Sequence, residues 1–287
     1  MFTFRVENER GDVLELTHNP AYDITSLDGI EPPEATINMT MNAGGDGSVF
    51  NSSRVENRQV TITLAVNSPA EENRINLYRF FKTKRRVRLY YANGLRDVYA
   101  DGYVQNMTVG YFEKKEVVQI VVLCPFPYWK ATENTVVEFA HVEPLFTFPF
   151  SHELGDDSEM VMSQVIAETE RSVYNPSDIP VGVVIKLRAT GTVFDPIITN
   201  LDTGEYFGIV SYGMVEGDVI TIDTRDGSKS VTANHEGTVT SLVSSMKRGS
   251  SWFKLQAGDN VFQIDALSTG EENLVVSFEF SALYEGV

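Results

Sequence analysis

Cys124 is the only cysteine in the 287-residue sequence. It stands in Cys124-Pro125-Phe126-Pro127-Tyr128-Trp129, directly after the β-branched run Val117-Val118-Gln119-Ile120-Val121-Val122. A lone thiol among aromatics suggests a nucleophile, because the thiolate is the reactive form. No histidine lies near it in sequence, however, and burial at the end of an apolar strand raises a thiol's pKa and makes it inert. The histidines, His18, His141, His152 and His235, show no i, i+4 spacing and form no HExxH or Cys/His set, so each reads as a surface or structural residue. There is no GxSxG elbow. Asp223-Thr224-Arg225-Asp226-Gly227-Ser228 invites a calcium reading, but Arg225 and Gly227 fall where oxygen ligands are needed, so a hairpin turn tipped by Asp-Gly is expected. Asp156 and Asp157 read as a solvated charge pair. The stretch MNAGGDGSVFNSSR, residues 41–54, lacks the lysine of a phosphate-cradling loop and reads as an exposed loop or arm. Trp252 is the one candidate for stacking on a sugar ring, and core or interface packing competes with that reading. No catalytic residue, cofactor site or metal site is expected.

The elements that would position these residues are mostly strands. Val60-Thr61-Ile62-Thr63-Leu64-Ala65 alternates with period two, as a half-buried strand does. Ser68-Pro69 then reads as a helix start, with Ser68 as N-cap, Pro69 at the first helical position and Glu71 and Glu72 in the first turn near the positive dipole end. Leu77, Phe80 and Phe81 give that helix an apolar stripe, with Ile75 and Tyr78 alongside. A basic run from Lys82 to Arg88 follows; it is short for a nucleic-acid contact, and a docking surface for an acidic protein face fits at least as well. Strands are expected at 87–91, 98–104 and 116–124, with turns at Asn93-Gly94 and Glu113-Lys114-Lys115. The second half carries short alternating strands, such as Val181 to Arg188 and Val276 to Ala282, separated by regular turn signals, which indicates a β-sandwich. Residues 151–178 read as a long loop with one or two short strands.

Charge divides the chain at the same place. Residues 1–130 carry 15 Lys and Arg against 16 Asp and Glu, whereas residues 131–287 carry 8 against 24. Two domains are therefore expected, 1–130 and 131–287, joined at Cys124, Pro125, Phe126, Pro127, Tyr128 and Trp129. The acidic half disfavours specific nucleic-acid recognition, no apolar run reaches the length of a membrane span, and no signal peptide is evident. One cysteine forms no internal disulfide, which suits assembly in a cytosol.

An ordered series of segments resembles the distal tail protein family of long-tailed bacteriophages. It runs through Ser53-Arg54, Arg58-Gln59-Val60-Thr61-Ile62, Arg74 to Phe81, Val87–Tyr91, Asp101-Gly102-Tyr103-Val104, and Val118 through Cys124-Pro125-Phe126-Pro127-Tyr128-Trp129. It continues at Tyr174-Asn175-Pro176-Ser177-Asp178, Pro196 to Asn200 with Thr203-Gly204, Gly217-Asp218 to Thr224, Ser228 to Val231, Trp252-Phe253-Lys254-Leu255 and Gly258-Asp259-Asn260. The resemblance implies a mainly β fold: a small N-terminal β-barrel or sheet domain with one packed helix, and a C-terminal galectin-like antiparallel β-sandwich. It implies a structural virion component that is not an enzyme, a ring of six copies at the tail tip joining the tail tube to the baseplate or tip hub. The implied partners are further copies of the chain, the tail tube protein, the tip hub and the tape measure protein. Arg54, Arg58, Arg74, Phe81, Lys84, Arg85 and Arg86 are the assembly candidates, with loop 41–54 ordering against a neighbour or the tube. No length remains for an inserted carbohydrate-binding module, and the His/Asn/Arg/Trp cluster of a galectin site is not assembled here. The alternative is a carbohydrate-binding sandwich for host attachment, centred on Trp252.

Overall fold

The computed structural model describes residues 2–110, 115–144, 163–167 and 169–287. Glu113, Lys114, His152, Asp156 and Asp157 lie outside them. The chain divides into two compact units, Met1–Glu133 with Leu283–Val287, and Asn134–Ala282.

The first unit contains β1 (Thr3–Asn8), β2 (Val13–Glu15), β3 (Tyr22–Asp28), β4 (Ala35–Met41), β5 (Ser48–Val55), β6 (Arg58–Val66), the helix α1 (Ala70–Phe80), β7 (Arg86–Ala92), β8 (Asp97–Gly110), β9 (Val117–Cys124) and β10 (Trp129–Ala131). The main sheet runs β2-β1-β7-β8-β9-β6-β3, with antiparallel neighbours. Among the described residues its ends do not pair, so of the expected barrel or sheet it is the open sheet that forms. Bulges between Val104 and Asn106 and between Ile24 and Ser26 add local bend and twist without closing the circuit. Period-two alternation puts Phe4, Val6, Val60, Ile62, Leu64, Leu89, Val118, Ile120 and Val122 on one buried face. Leu77 and Phe81 join that core, so the helix is held by its apolar stripe rather than by propensity. Its start differs from expectation. Pro69, at φ −81° and ψ 109°, is itself extended and takes the N-cap position that Ser68 was expected to fill, so helical geometry begins at Ala70.

The second unit contains β11 (Thr135–Pro144), β12 (Ser163–Ala167), β13 (Glu170–Asn175), β14 (Val184–Ala189), β15 (Val193–Asn200), β16 (Tyr206–Gly208), β17 (Gly213–Met214), β18 (Val219–Asp223), β19 (Ser230–His235), β20 (Thr238–Ser241), β21 (Gly258–Thr269) and β22 (Leu274–Phe280). Two sheets form, β12-β11-β22-β14-β18-β19-β20 and β13-β21-β15-β16, with β17 added to β15. Their inner faces meet in an aromatic core. Phe262 of β21 lies 4.7 Å from Phe278 of β22, which is 5.1 Å from Phe139 of β11. Such offset contacts stabilise beyond the area they bury. The stretch 151–178 supplies β12 and β13 among its described residues.

At one edge of this sandwich the buried Asp218 carboxylate meets His235 Nδ1 at 2.6 Å. Burial pushes the Asp218 carboxyl up, but hydrogen bonds from the Val215 N–H and His235 outweigh it and leave the group below its ordinary value. The same carboxylate raises His235 above 6.5. A raised histidine stabilises the fold below its unfolded pKa, and that contribution is lost as pH rises through the folded value. An NMR titration will therefore place His235 above the ordinary histidine range, and Asp218→Asn will return it there. An ordinary His235 in the unsubstituted protein would contradict the pair.

After β22 the chain crosses back. A final strand, β23 (Leu283–Tyr284), pairs antiparallel with β10, Tyr284 opposite Trp129. Residues 283–287, expected within the second domain, belong to the first unit because their hydrogen-bond partners are there.

Candidate assembly surface

Among the described residues, strands β4 and β5 pair only with each other. They form a hairpin that contains the glycine-rich segment as its tip, where Asn42 N–H donates to Gly47 O at 3.3 Å. Cross-strand partners share a face, so the register sorts the side chains. Ile37 opposes Ser53, Met39 opposes Phe50 and Met41 opposes Ser48, with Ala35 opposite Val55 at the root. That face is apolar and open: Met39 is 58%, Phe50 59% and Met41 84% exposed. The other face is mostly polar and internally bonded, with Val49 opposite Thr40 as its one large apolar side chain. Asn38 Nδ2 donates to Ser52 Oγ at 3.0 Å, Asn51 Nδ2 to Thr40 Oγ1 at 2.6 Å, and Thr36 Oγ1 to Glu56 at 2.7 Å. The Thr36 hydroxyl first, and then Arg54 at 3.1 Å, hold the Glu56 carboxyl below its usual range. A shift between Asn38 and Met39 marks a bulge at Asn51, which adds twist.

This arrangement is poor as a free-standing object. A two-stranded hairpin is at best marginally stable alone in water. Open strand edges and a contiguous apolar face invite a partner. The arm therefore has the chemistry of a clasp.

The remaining assembly candidates scatter. Arg58 is buried and bonds internally, so its side chain is not available to a partner. Phe81 lies in the core, 4.9 Å from Phe80. Arg74 forms a bidentate pair with Glu116, 2.8 Å to each oxygen. Lys84 sits in a tight turn at φ 66°. Arg85 pairs with Glu9 at 3.3 Å, Arg86 with Asp101 at 2.9 Å and Arg88 with Asp101 at 2.8 Å. Burial opposes the charge on Asp101, yet Arg88 and Arg86 hold its carboxyl below the ordinary range. The basic run thus meets acidic groups of its own sheet, because strand pairing brings Glu9 and Asp101 beside it.

The Pro-aromatic segment also lies within the first unit. Trp129 is fully buried in its core, while Phe126 is exposed and packs edge-on to Tyr128 at 5.5 Å. β10 carries Trp129 into the first unit's own sheet, beside β8 and β23. Cys124 is fully buried, and a Cβ on Gly102 would approach its Sγ to 2.8 Å. Burial pushes the thiol up to about 12. An alkylating reagent at pH 8 will leave Cys124 unmodified until the chain is unfolded; rapid labelling of the folded protein would contradict this. Asp223 and Arg225 close the expected hairpin turn through a 2.6 Å ion pair, and Lys254 meets Asp226 at 2.5 Å. Trp252 is half-buried, its ring edge against Phe207 at 5.1 Å. Among the described residues no His, Cys, Asp or Glu cluster is arranged to hold a metal ion, and no helix is long and apolar enough to cross a membrane.

Residues 177–282 match the family model described as siphovirus-type tail component, C-terminal domain. That match spans most of the second unit, and both units are mainly β. The chain is similar throughout its length to the Dit protein of phage SPP1, described as a paradigm of the hub adsorption apparatus in phages infecting Gram-positive bacteria. The TM-score is 0.68 at 12% identity, covering 99% of each chain. Chains of the phage P2 baseplate in its activated conformation, with Ca and with Sr, cover 100% of both sequences at 13% and 12% identity. Their TM-scores are 0.49 and 0.47. None of the curated proteins matches the sequence.

Proposed function

We propose that this chain is a distal tail component of a siphovirus-type virion. Copies of it close into a ring, six in number, that joins the tail tube to the baseplate or tip hub and leaves a lumen for the tape measure protein or DNA. The ring is assembled in the host bacterial cytoplasm. One observation carries the reading: the β4–β5 arm presents an apolar face that stands exposed among the described residues. Covering it with the next copy makes a heterologous contact, and such a contact closes into a ring when six equal rotations complete the circle without a rise. The family match over 177–282 and the SPP1 Dit fold support the setting. The function is mechanical and needs no reactive group, consistent with an inert Cys124. Antibodies raised against the chain should label intact virions at the tail end distal to the capsid. Label confined to the capsid, or absent from virions, would refute the assignment.

A further inference from the structure

Arg58 opens β6, directly after the arm, and its guanidinium is buried at 3% exposure. It donates to the carbonyls of Gly29 and Glu31 in the segment leading into the arm, at 2.5 and 2.7 Å. It also donates to Pro127 O at 2.6 Å and to Glu285 O, and lies 5.5 Å from the centre of the Trp129 ring. A buried cation is tolerated when its donors are met, and the planar fork of arginine suits carbonyls arriving from several directions. Around it the backbones touch. Val287 N–H donates to Ile30 O at 3.2 Å, and the Arg96 guanidinium donates to Gly286 O while lying 4.3 Å from the Tyr284 ring centre. Gly29 has φ +86°, and a Cβ there would lie 1.9 Å from Gln59 O. A Cβ on Gly286 would lie 2.9 Å from Pro32 Cδ and 3.3 Å from the Glu31 carbonyl carbon.

The convergence is specific in chain terms. Residues 29–32 enter the arm, Arg58 leaves it, Pro127 lies before the crossing to the second unit, and 285–287 follow the return. We propose that Arg58 and residues 283–287 form an intramolecular latch that fixes the root and exit direction of the arm. The arm is then aimed for assembly only when the returning segment is seated. The latch concerns the root and stands on its own contacts. Its consequence for assembly rests on reading the arm as the clasp.

The test uses the full chain with spin labels at Gly45→Cys in the arm tip and Leu95→Cys in the β7–β8 turn of the same unit. Distance distributions are measured at a concentration where the chain is unassembled. Arg58→Lys keeps charge but loses the fork. Gly286→Val leaves the guanidinium untouched and presses the returning segment off Pro32, which keeps the test open if Arg58→Lys does not fold. The latch predicts a narrow distribution in the otherwise unsubstituted chain, a clearly broadened one in both variants, and a preserved unfolding midpoint in Gly286→Val. An unchanged distribution in Gly286→Val overturns it. So does broadening seen only when the whole first unit has melted, which would make Arg58 an ordinary core residue. Broadening with undiminished self-association keeps the latch and instead defeats the clasp reading.

Discussion

Met39→Glu together with Phe50→Glu will leave both units folded and abolish self-association. In the isolated chain these side chains are 58% and 59% exposed, so replacing them removes little native contact. Surface substitutions of this kind change stability by about 0.5 kcal/mol or less. The same positions sit opposite each other at the centre of the arm's apolar face, where a neighbouring copy would bury them in the proposed ring. A central anchor in an interface is worth about 2 kcal/mol or more when truncated, and a buried unpaired carboxylate costs further. Two such changes should weaken association by roughly a thousandfold, since each 1.4 kcal/mol is tenfold. Thr40→Glu, on the opposite face, provides the control and should leave association close to normal. Sedimentation velocity with a parallel thermal scan separates the outcomes. Equal loss in the control, or assembly that survives the double change, would show that the apolar face is not the contact.

Trp129→Ala will strip much of the first unit's stability and leave the second unit's intact. The ring is fully buried, packs in the core cluster, carries Arg58 over one side, and sits in β10 between β8 and β23. Large-to-small changes at such sites cost about 3–5 kcal/mol, against a typical domain stability of about 5–15 kcal/mol. Trp252 then becomes the only tryptophan and reports on the second unit alone. Urea unfolding followed by amide exchange should show the β6–β9 ladder opening at lower denaturant, while the Trp252 fluorescence midpoint stays put. If the first unit's midpoint did not move, the core placement of Trp129 would be wrong.

Much of the architecture is readable from periodicity. Val60, Ile62 and Leu64 alternate in sequence and are fully buried, and Phe278 and Phe280 do the same in the sandwich. Local turn chemistry worked for the same reason, since Asp226-Gly227 needs only its own backbone to form a hairpin tip. What stayed hidden depends on distant pairing. Nothing near Trp129 announces that Tyr284 will lie beside it. Arg58 looked like a surface residue because arginine is seldom fully buried, and its acceptors are carbonyls of residues far along the chain. The basic run looked free because Asp101 comes beside it only through strand pairing. The arm was half legible. Its glycines and serines marked it as exposed, yet the alternation Ile37-Asn38-Met39-Thr40-Met41 precedes them and signals a strand with one apolar face. The open sheet, where a barrel was conceivable, turns on whether β2 and β3 meet, a fact no local pattern records.

The proposed ring closes by shape alone, through one copy's arm on the next. Native mass measurement of the purified chain across a concentration series, with end-on negative-stain images of the same samples, tests it most directly. The expected result is a species of six times the single-chain mass whose images show sixfold rotational symmetry around an open centre. A mass that stays at one chain at every concentration, including after addition of purified tail tube, would contradict it.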